Sequence, residues 1–280
     1  MMKIDVSDLT SMLKMTRRMN NVGGKLLEQV KGAVIIYDGE KNVAQTTNIV
    51  RDGKTSIAQM SCNLSEKNEE SGRLVIADIA QTLDALKKHS GVVSLSNDNG
   101  KLIIVSTKRR TTLVSDERAK AFPHTKKTVM QWSEDSTERW SISMGKIHQG
   151  IYTVKGTDEL KPVYSADVDV GELLSALDCG NMNGQKVSEY TFRMVMPSEG
   201  LSVTVGAELK GQTTSYLSTE LSNHIQENVE TTVSGGLEHV LRNSKSKTVR
   251  LRLFDFTQYG AGIALSLVCA DFALFQREVV

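Results

Sequence analysis

The sequence predicts an α+β fold of two similar domains, each with two helices packed on antiparallel sheets. Three observations carry that expectation: a strand-to-helix junction written four times, strand-rich text between the junctions, and spacings that pair the four junctions into two halves.

The junctions align on Asp8, Asp78, Asp169 and Gly236 as "IDVSDLTSMLKMTRR", "LVIADIAQTLDALKK", "ADVDVGELLSALDCG" and "TTVSGGLEHVLRNSK". Each has a short β-like run, a turn or cap residue, and then apolar residues one and five places after the marker. These are Leu9 and Leu13, Ile79 and Leu83, Val170 and Leu174, and Leu237 and Leu241. A spacing of four puts both on one helical face. Aspartate suits three of the markers because its carboxylate accepts from orphan N–H groups at the positive end of the helix dipole.

The text between the helices reads as strand: "GAVIIYDG", "NVAQTTNIV", "TSIAQMSCNL" and "GVVSLSNDNGKLIIVSTKRRTTL" in the first half, "YTFRMVMPSEGLSVTVGAEL" and "VRLRLFDFTQYGAGIALSLVCADFALF" in the second. "NDNG" between apolar runs predicts a hairpin, since Asn and Gly tolerate the positive φ of tight turns. The only prolines are Pro123, Pro162 and Pro197, which fits long regular strands.

Asp8 and Asp78 are 70 residues apart and Asp169 and Gly236 are 67 apart, but Asp78 and Asp169 are 91 apart. The surplus falls in residues 133–162, rich in Ser, Gly and charge, which read as an interdomain connector. The expected organisation is a domain at 1–132, a connector at 133–162 and a second domain at 163–280. Repeats of this length imply units that bury their faces on one another.

With 39% hydrophobic and 24% charged residues the 280-residue chain has globular composition. Its apolar runs are far shorter than the roughly 20 residues of a membrane span. "MMKIDVSD" lacks the apolar core of a signal peptide, so an intracellular location is expected. Cys62, Cys179 and Cys269 are too dispersed for a disulfide framework or a zinc site. The net charge of +1 conceals a split: residues 1–132 hold 21 Lys/Arg and 14 Asp/Glu, whereas residues 133–280 hold 13 and 19. Such asymmetry suits nucleic acid on one half, or docking of one half on the other.

Enzyme motifs fail on context. Ser11/Lys14 and Ser143/Lys146 match S-x-x-K by spacing alone. His89, His124, His148, His224 and His239 lack ligand spacing, so no metal is expected. No phosphate-binding glycine motif is present, and "VSGGLEHV" is accounted for as the fourth junction. No catalytic residue, enzymatic activity or cofactor is expected.

In order and spacing, "RLVIADIAQTLDALKKHSGVVSLSNDNGKLIIVST", "SADVDVGELLSALDCG", "GQTTSYLSTEL" and "VRLRLFDFTQYGAGIALSLVCADFALF" resemble the two-domain DNA sliding clamps of the proliferating cell nuclear antigen type, including archaeal and viral relatives. The resemblance covers nearly the whole chain. It implies a DNA clamp fold, a ring that is usually a homotrimer, an inner layer of helices facing duplex DNA, and a role tethering DNA polymerase and other replication proteins. A clamp loader is a further implied partner. A ring that slides holds phosphates through sequence-blind positive charge.

On that basis Lys14, Arg17 and Arg18 in the first helix, Lys87 and Lys88 in the second, and Arg242 and Lys245 after the fourth, with Lys247 just beyond, are the expected DNA contacts. The third helix departs from the pattern, carrying Asp169, Glu172 and Asp178 and no cation. Subunit closure is expected at Thr213, Ser215, Leu217 and Thr219 on one edge and at Thr128, Val129 and Trp132 on the other; "ERWSISM" competes for the second edge. Partner peptides are expected at Tyr37, Val43, Ile147, Ile151, Tyr152, Phe275, Val279 and Val280. Two rival readings stand beside this one: a monomeric or dimeric processivity factor that grips DNA on a basic face, and, more distantly, a β-rich structural or virion protein.

Overall fold

The computed structural model describes residues 1–19, 32–51, 55–65, 70–115, 152–153, 159–178, 189–194, 200–207, 211–224, 228–234, 237–276 and 278. Two compact units divide the chain, Met1–Asn48 with Gln59–Ser141 and Ile49–Ala58 with Ile142–Val280.

The first unit begins with β1 (Met2–Asp5), α1 (Val6–Met19), β2 (Ala33–Asp38), β3 (Val43–Arg51) and β4 (Thr55–Asn63). It continues with β5 (Gly72–Ile76), α2 (Ile79–Leu86), β6 (Val92–Asp98), β7 (Lys101–Ser106) and β8 (Arg109–Val114). One sheet has the order β1-β6-β7-β8, and a second run has the order β5-β2-β3-β4.

The local reasons for these elements are visible residue by residue. In α1, Leu9, Met12, Leu13 and Thr16 recur at helical spacing and are buried; Thr16 Oγ1 donates to the Met12 carbonyl at 2.8 Å. Helix α2 starts where the Asp78 carboxylate accepts from the Gln81 N–H at 3.0 Å, and it buries Ile79, Leu83 and Leu86. Just past its end, Gly91 takes a left-handed φ of 67°, and its carbonyl accepts from Val6 N. The expected "NDNG" hairpin is present: Asp98 pairs with Lys101, and Asn99 and Gly100 both take positive φ. Strand β2 buries Ala33, Ile35 and Tyr37 in alternation.

The second unit contains β9 (Tyr152–Thr153), β10 (Glu159–Leu160), β11 (Tyr164–Asp169), α3 (Val170–Asp178), β12 (Glu189–Met194) and β13 (Leu201–Ala207). It closes with β14 (Gly211–Leu217), β15 (Thr219–His224), β16 (Val229–Ser234), α4 (Leu237–Leu241), β17 (Thr248–Asp255), β18 (Ile263–Val268) and β19 (Phe272–Gln276). Its strand runs are β14-β13-β12-β16 and β15-β11-β17-β18-β19, with the short pair β9-β10 apart.

The duplication read from the sequence recurs in the topology. In each unit the strand that leads into the first helix pairs with the strand that follows the second helix, as β1 with β6 and β11 with β17. The strand leading into the second helix pairs with the strand that follows the first, as β5 with β2 and β16 with β12. Helix pairs α1/α2 and α3/α4 each pack together. Leu9, Leu13, Val93 and Leu95 belong to one core, and Leu173, Phe192, Leu201 and Val203 to the other, all fully enclosed.

One boundary differs from the sequence reading. Helix α1 starts at Val6, so Asp8 lies inside its first turn, and the neighbouring Asp5 carboxylate accepts from Ser7 N at 2.7 Å.

Candidate functional site

In the first unit, burying Leu9, Met12 and Leu13 turns Lys14 to solvent, and burying Ile79, Leu83 and Leu86 leaves Lys87 and Lys88 exposed beyond the end of α2. Lys87 Nζ meets Asp84 Oδ1 at 2.7 Å, which offsets part of its charge. Among the described residues, Lys14 and Lys88 have no ion-pair partner.

The end of α2 is fastened to the β7–β8 turn by a buried histidine. His89 Nδ1 lies 2.9 Å from Ser106 Oγ, and Nε2 lies 2.8 Å from Thr111 Oγ1. Burial, with the charge of nearby Arg109 second, pushes the His89 imidazole below its ordinary pKa. Lys108, Arg109 and Arg110 project from that turn, all exposed and none ion-paired among the described residues. This cluster inside "STKRRTTL" is absent from the expected DNA contacts. Three consecutive cations at a hairpin turn are the signal that marks it.

The second unit is different. Asp169 Oδ1 accepts from the Glu172 N–H at 2.9 Å, the N-cap the sequence implied. Glu172 Oε1 reaches beyond its helix to accept from Ser218 N at 2.8 Å, just past the end of β14. Asp178 pairs with Arg242. One expected DNA contact is therefore largely neutralised by an acid of the helix packed beside it.

The loop after α4 is held by a carboxylate the sequence did not reveal. Asp271 accepts from Ser244 Oγ at 2.8 Å, Ser246 Oγ at 3.0 Å, Lys245 N at 2.7 Å and Cys269 Sγ at 3.0 Å. Burial alone would raise its pKa; the donors outweigh it and hold the carboxyl below its usual value. The Cys269 thiol is pushed up to about 11, chiefly by burial and then by its bond to Asp271, which leaves it an inert core thiol. The Lys245 and Lys247 side chains extend from this loop into solvent.

Other expected contacts sort as follows. Arg17 and Arg18 lie in α1, but their side chains are outside the described residues, as is the side chain of Tyr152 in β9. Thr128, Val129, Trp132, Ile147, Ile151, Val279, Val280 and the competing "ERWSISM" also lie outside them. Tyr37 and Phe275 are core side chains, 6% and 2% exposed: Tyr37 lies over Gly72, and Phe275 stacks edge-on to Phe256 at 6.0 Å. Val43 is half-buried at the start of β3. Thr213, Ser215 and Leu217 lie on β14, the outermost strand of its sheet, and Thr219 opens β15. In the first unit the outermost strand is β8.

Among the described residues no cluster of three or more His, Cys, Asp or Glu is placed to hold a metal ion. Nor is any helix among them long and apolar enough to cross a membrane.

No protein-family model matches the chain, and no curated protein matches it by sequence. Solved structures do match. The DNA polymerase sliding clamp of Bacillus subtilis superposes with a TM-score of 0.64 at 10% identity, over 100% of this chain and 64% of that one. The sliding clamp of Pseudomonas aeruginosa gives 0.61 at 12% identity, over 99% and 66%. The DNA polymerase III beta subunit of Thermotoga maritima gives 0.62 at 11% identity, over 99% and 65%. The chain thus has the sliding-clamp fold throughout, while spanning slightly under two thirds of the length of these clamps.

Proposed function

We propose that this protein is a sliding clamp, a non-enzymatic processivity factor that closes as a homotrimeric ring around duplex DNA and tethers DNA polymerase and other replication proteins inside the cell. The observation that carries the reading is the clamp fold over the whole chain combined with a helix layer in the first unit that offers unpaired cations. Lys14 and Lys88, with Arg17, Arg18 and Lys87, are the proposed phosphate contacts of that unit; Lys245 and Lys247 serve the second. Arg242 contributes less because Asp178 already neutralises it. Sequence-blind cations of this kind bind the backbone strongly at low salt and release it as salt rises.

Ring closure is assigned to the outermost strands, β14 with Thr213, Ser215 and Leu217 on one side and β8 on the other. Contacts between unlike patches close into rings when the rotation permits. Partner peptides with an apolar anchor would seat around Val43, Ile147, Ile151, Tyr152, Val279 and Val280, over a floor that includes Tyr37 and Phe275. A clamp loader would open the ring.

Topology tests this reading against a clamp-like protein that grips DNA on one basic face. The protein is incubated with nicked circular plasmid, passed through a sizing column, and passed again after the circle is linearised. A ring co-elutes with the circle and is lost from the linear molecule. Equal retention on both forms favours the open, face-binding alternative.

A further inference from the structure

Two outermost strands of this protein carry opposite charge. Strand β8 has β7 on one side and β14 has β13 on one side, and among the described residues neither has a strand on its other side. An open strand presents unpaired N–H and C=O groups that template pairing with another chain. These strands also hold the two most exposed large apolar side chains among the described residues, apart from the chain start, Val114 at 69% and Tyr216 at 73%.

The charges lie at particular ends. Arg109 and Arg110 occupy the start of β8, beside the end of α2 with its exposed Lys88, a placement fixed by the His89 bonds to Ser106 and Thr111. Just past the end of β14 lies Ser218, whose N–H is held by Glu172, and Glu172 is in turn capped by Asp169.

Direction then decides what meets what. All the strand pairs whose register is described in this protein are antiparallel, among them β7 with β8 and β13 with β14. Laid antiparallel along β14 of a second copy, β8 brings its start to the end of β14. Arg109 and Arg110 therefore arrive at Glu172 and Asp169. A parallel arrangement would set the arginines at Gly211 and Gln212, away from both carboxylates.

We propose that the occupant of the β8 edge is the β14 edge of a second copy of this chain, locked in register by Arg109 and Arg110 against Glu172 and Asp169. The proposal rests on the ring reading above and extends it by explaining why the third helix is acidic. That helix receives the neighbouring subunit, and DNA is left to the cations of the other helices. Complementary rim charges fix register and set the salt response of association.

The test is assembled mass by light scattering over a dilution series, at low and at high salt, for the full-length protein and three variants. Wild type is expected to assemble more weakly as salt rises. R109E/R110E should raise the dissociation constant by about tenfold or more, because like charges then face each other, and should lose most of the salt response. Adding Glu172→Arg to that background should recover part of the assembly. Glu172→Gln alone, which keeps an acceptor for Ser218 N, should weaken assembly less. A wild-type chain that assembles while R109E/R110E keeps its dissociation constant overturns the lock and leaves the ring standing. A wild type that stays monomeric throughout overturns both. Loss of duplex DNA binding by R109E/R110E with assembly unchanged assigns these arginines to DNA and also overturns the lock.

Discussion

Replacing Asp271 tests the link between a buried carboxylate and the basic loop after α4. In Asp271→Ala the hydroxyls of Ser244 and Ser246, the Lys245 N–H and the Cys269 thiol lose their common acceptor. A hydrogen bond to a charged group contributes about 1.5–3 kcal/mol net. Lys245 is exposed and the two serines are not fully enclosed, so water takes over part of the loss, and Ser246 N already donates to Ser244 Oγ at 3.1 Å. The expected cost is therefore about 2–4 kcal/mol, nearer one good charge-assisted bond than the sum of four. Asp271→Asn keeps an acceptor oxygen and should cost about 1–2 kcal/mol by the same reasoning. Urea unfolding followed by circular dichroism, at fixed protein concentration, measures both. The pH response has a definite sign. The folded-state pKa of Asp271 is depressed, so its stabilisation is fully present above the unfolded aspartate value near ~3.9 and is lost as pH falls through the folded value. The gap between wild type and Asp271→Asn should therefore close in acid. Two variants within about 0.5 kcal/mol of wild type at neutral pH, the usual scatter of surface changes, would refute the reasoning.

Three further outcomes are expected. Lys14→Ala and Lys88→Ala should each make the slope of log K against log salt for duplex DNA shallower by about 0.9, with little dependence on sequence; fluorescence anisotropy at several salt concentrations reads this. His89 has a folded-state pKa below its unfolded value, so its contribution is present above about 6.5 and is lost as pH falls through the folded value. The urea midpoint of wild type should therefore drop between neutral pH and pH near ~5, and that of His89→Gln should drop less. At Gly72 an added Cβ would sit 2.6 Å from the Tyr37 hydroxyl, so Gly72→Ala must displace a buried ring. A loss of about 1–3 kcal/mol is expected for such overpacking, and a thermal melt detects it.

Much of the architecture was legible because it is written locally. The spacing of Leu9 with Leu13 and of Ile79 with Leu83, the Asp78 cap and the Asn99-Gly100 turn each depend on neighbours within a few residues. The duplication followed from spacing, since two units with the same strand partners must repeat their helix-bearing segments at similar distances. Edges were harder. Whether a strand is outermost depends on what lies beside it in space, and the local text of β8 resembles that of its interior neighbour β7 apart from its cations. The candidate edge at 128–133 lies outside the described residues, and the outermost strand of the described sheet is found at Arg109–Val114.

Pairing was hidden for the same reason. Arg242 and Asp178 are 64 positions apart and meet only because α3 and α4 pack together. Tyr37 and Phe275 read as exposable aromatics, yet tertiary packing encloses both. Asp271, in the "CADF" turn, carried no sign that it would accept from a loop 25–27 residues earlier.

The measurement that tests the central claim most directly is the solution mass of the wild-type chain by light scattering from dilute to concentrated protein. A ring of three predicts a plateau at three times the 30.8 kDa chain mass. A mass that stays at that of one chain over the whole range would contradict a closed homotrimer and leave the basic first unit as an open DNA-gripping face.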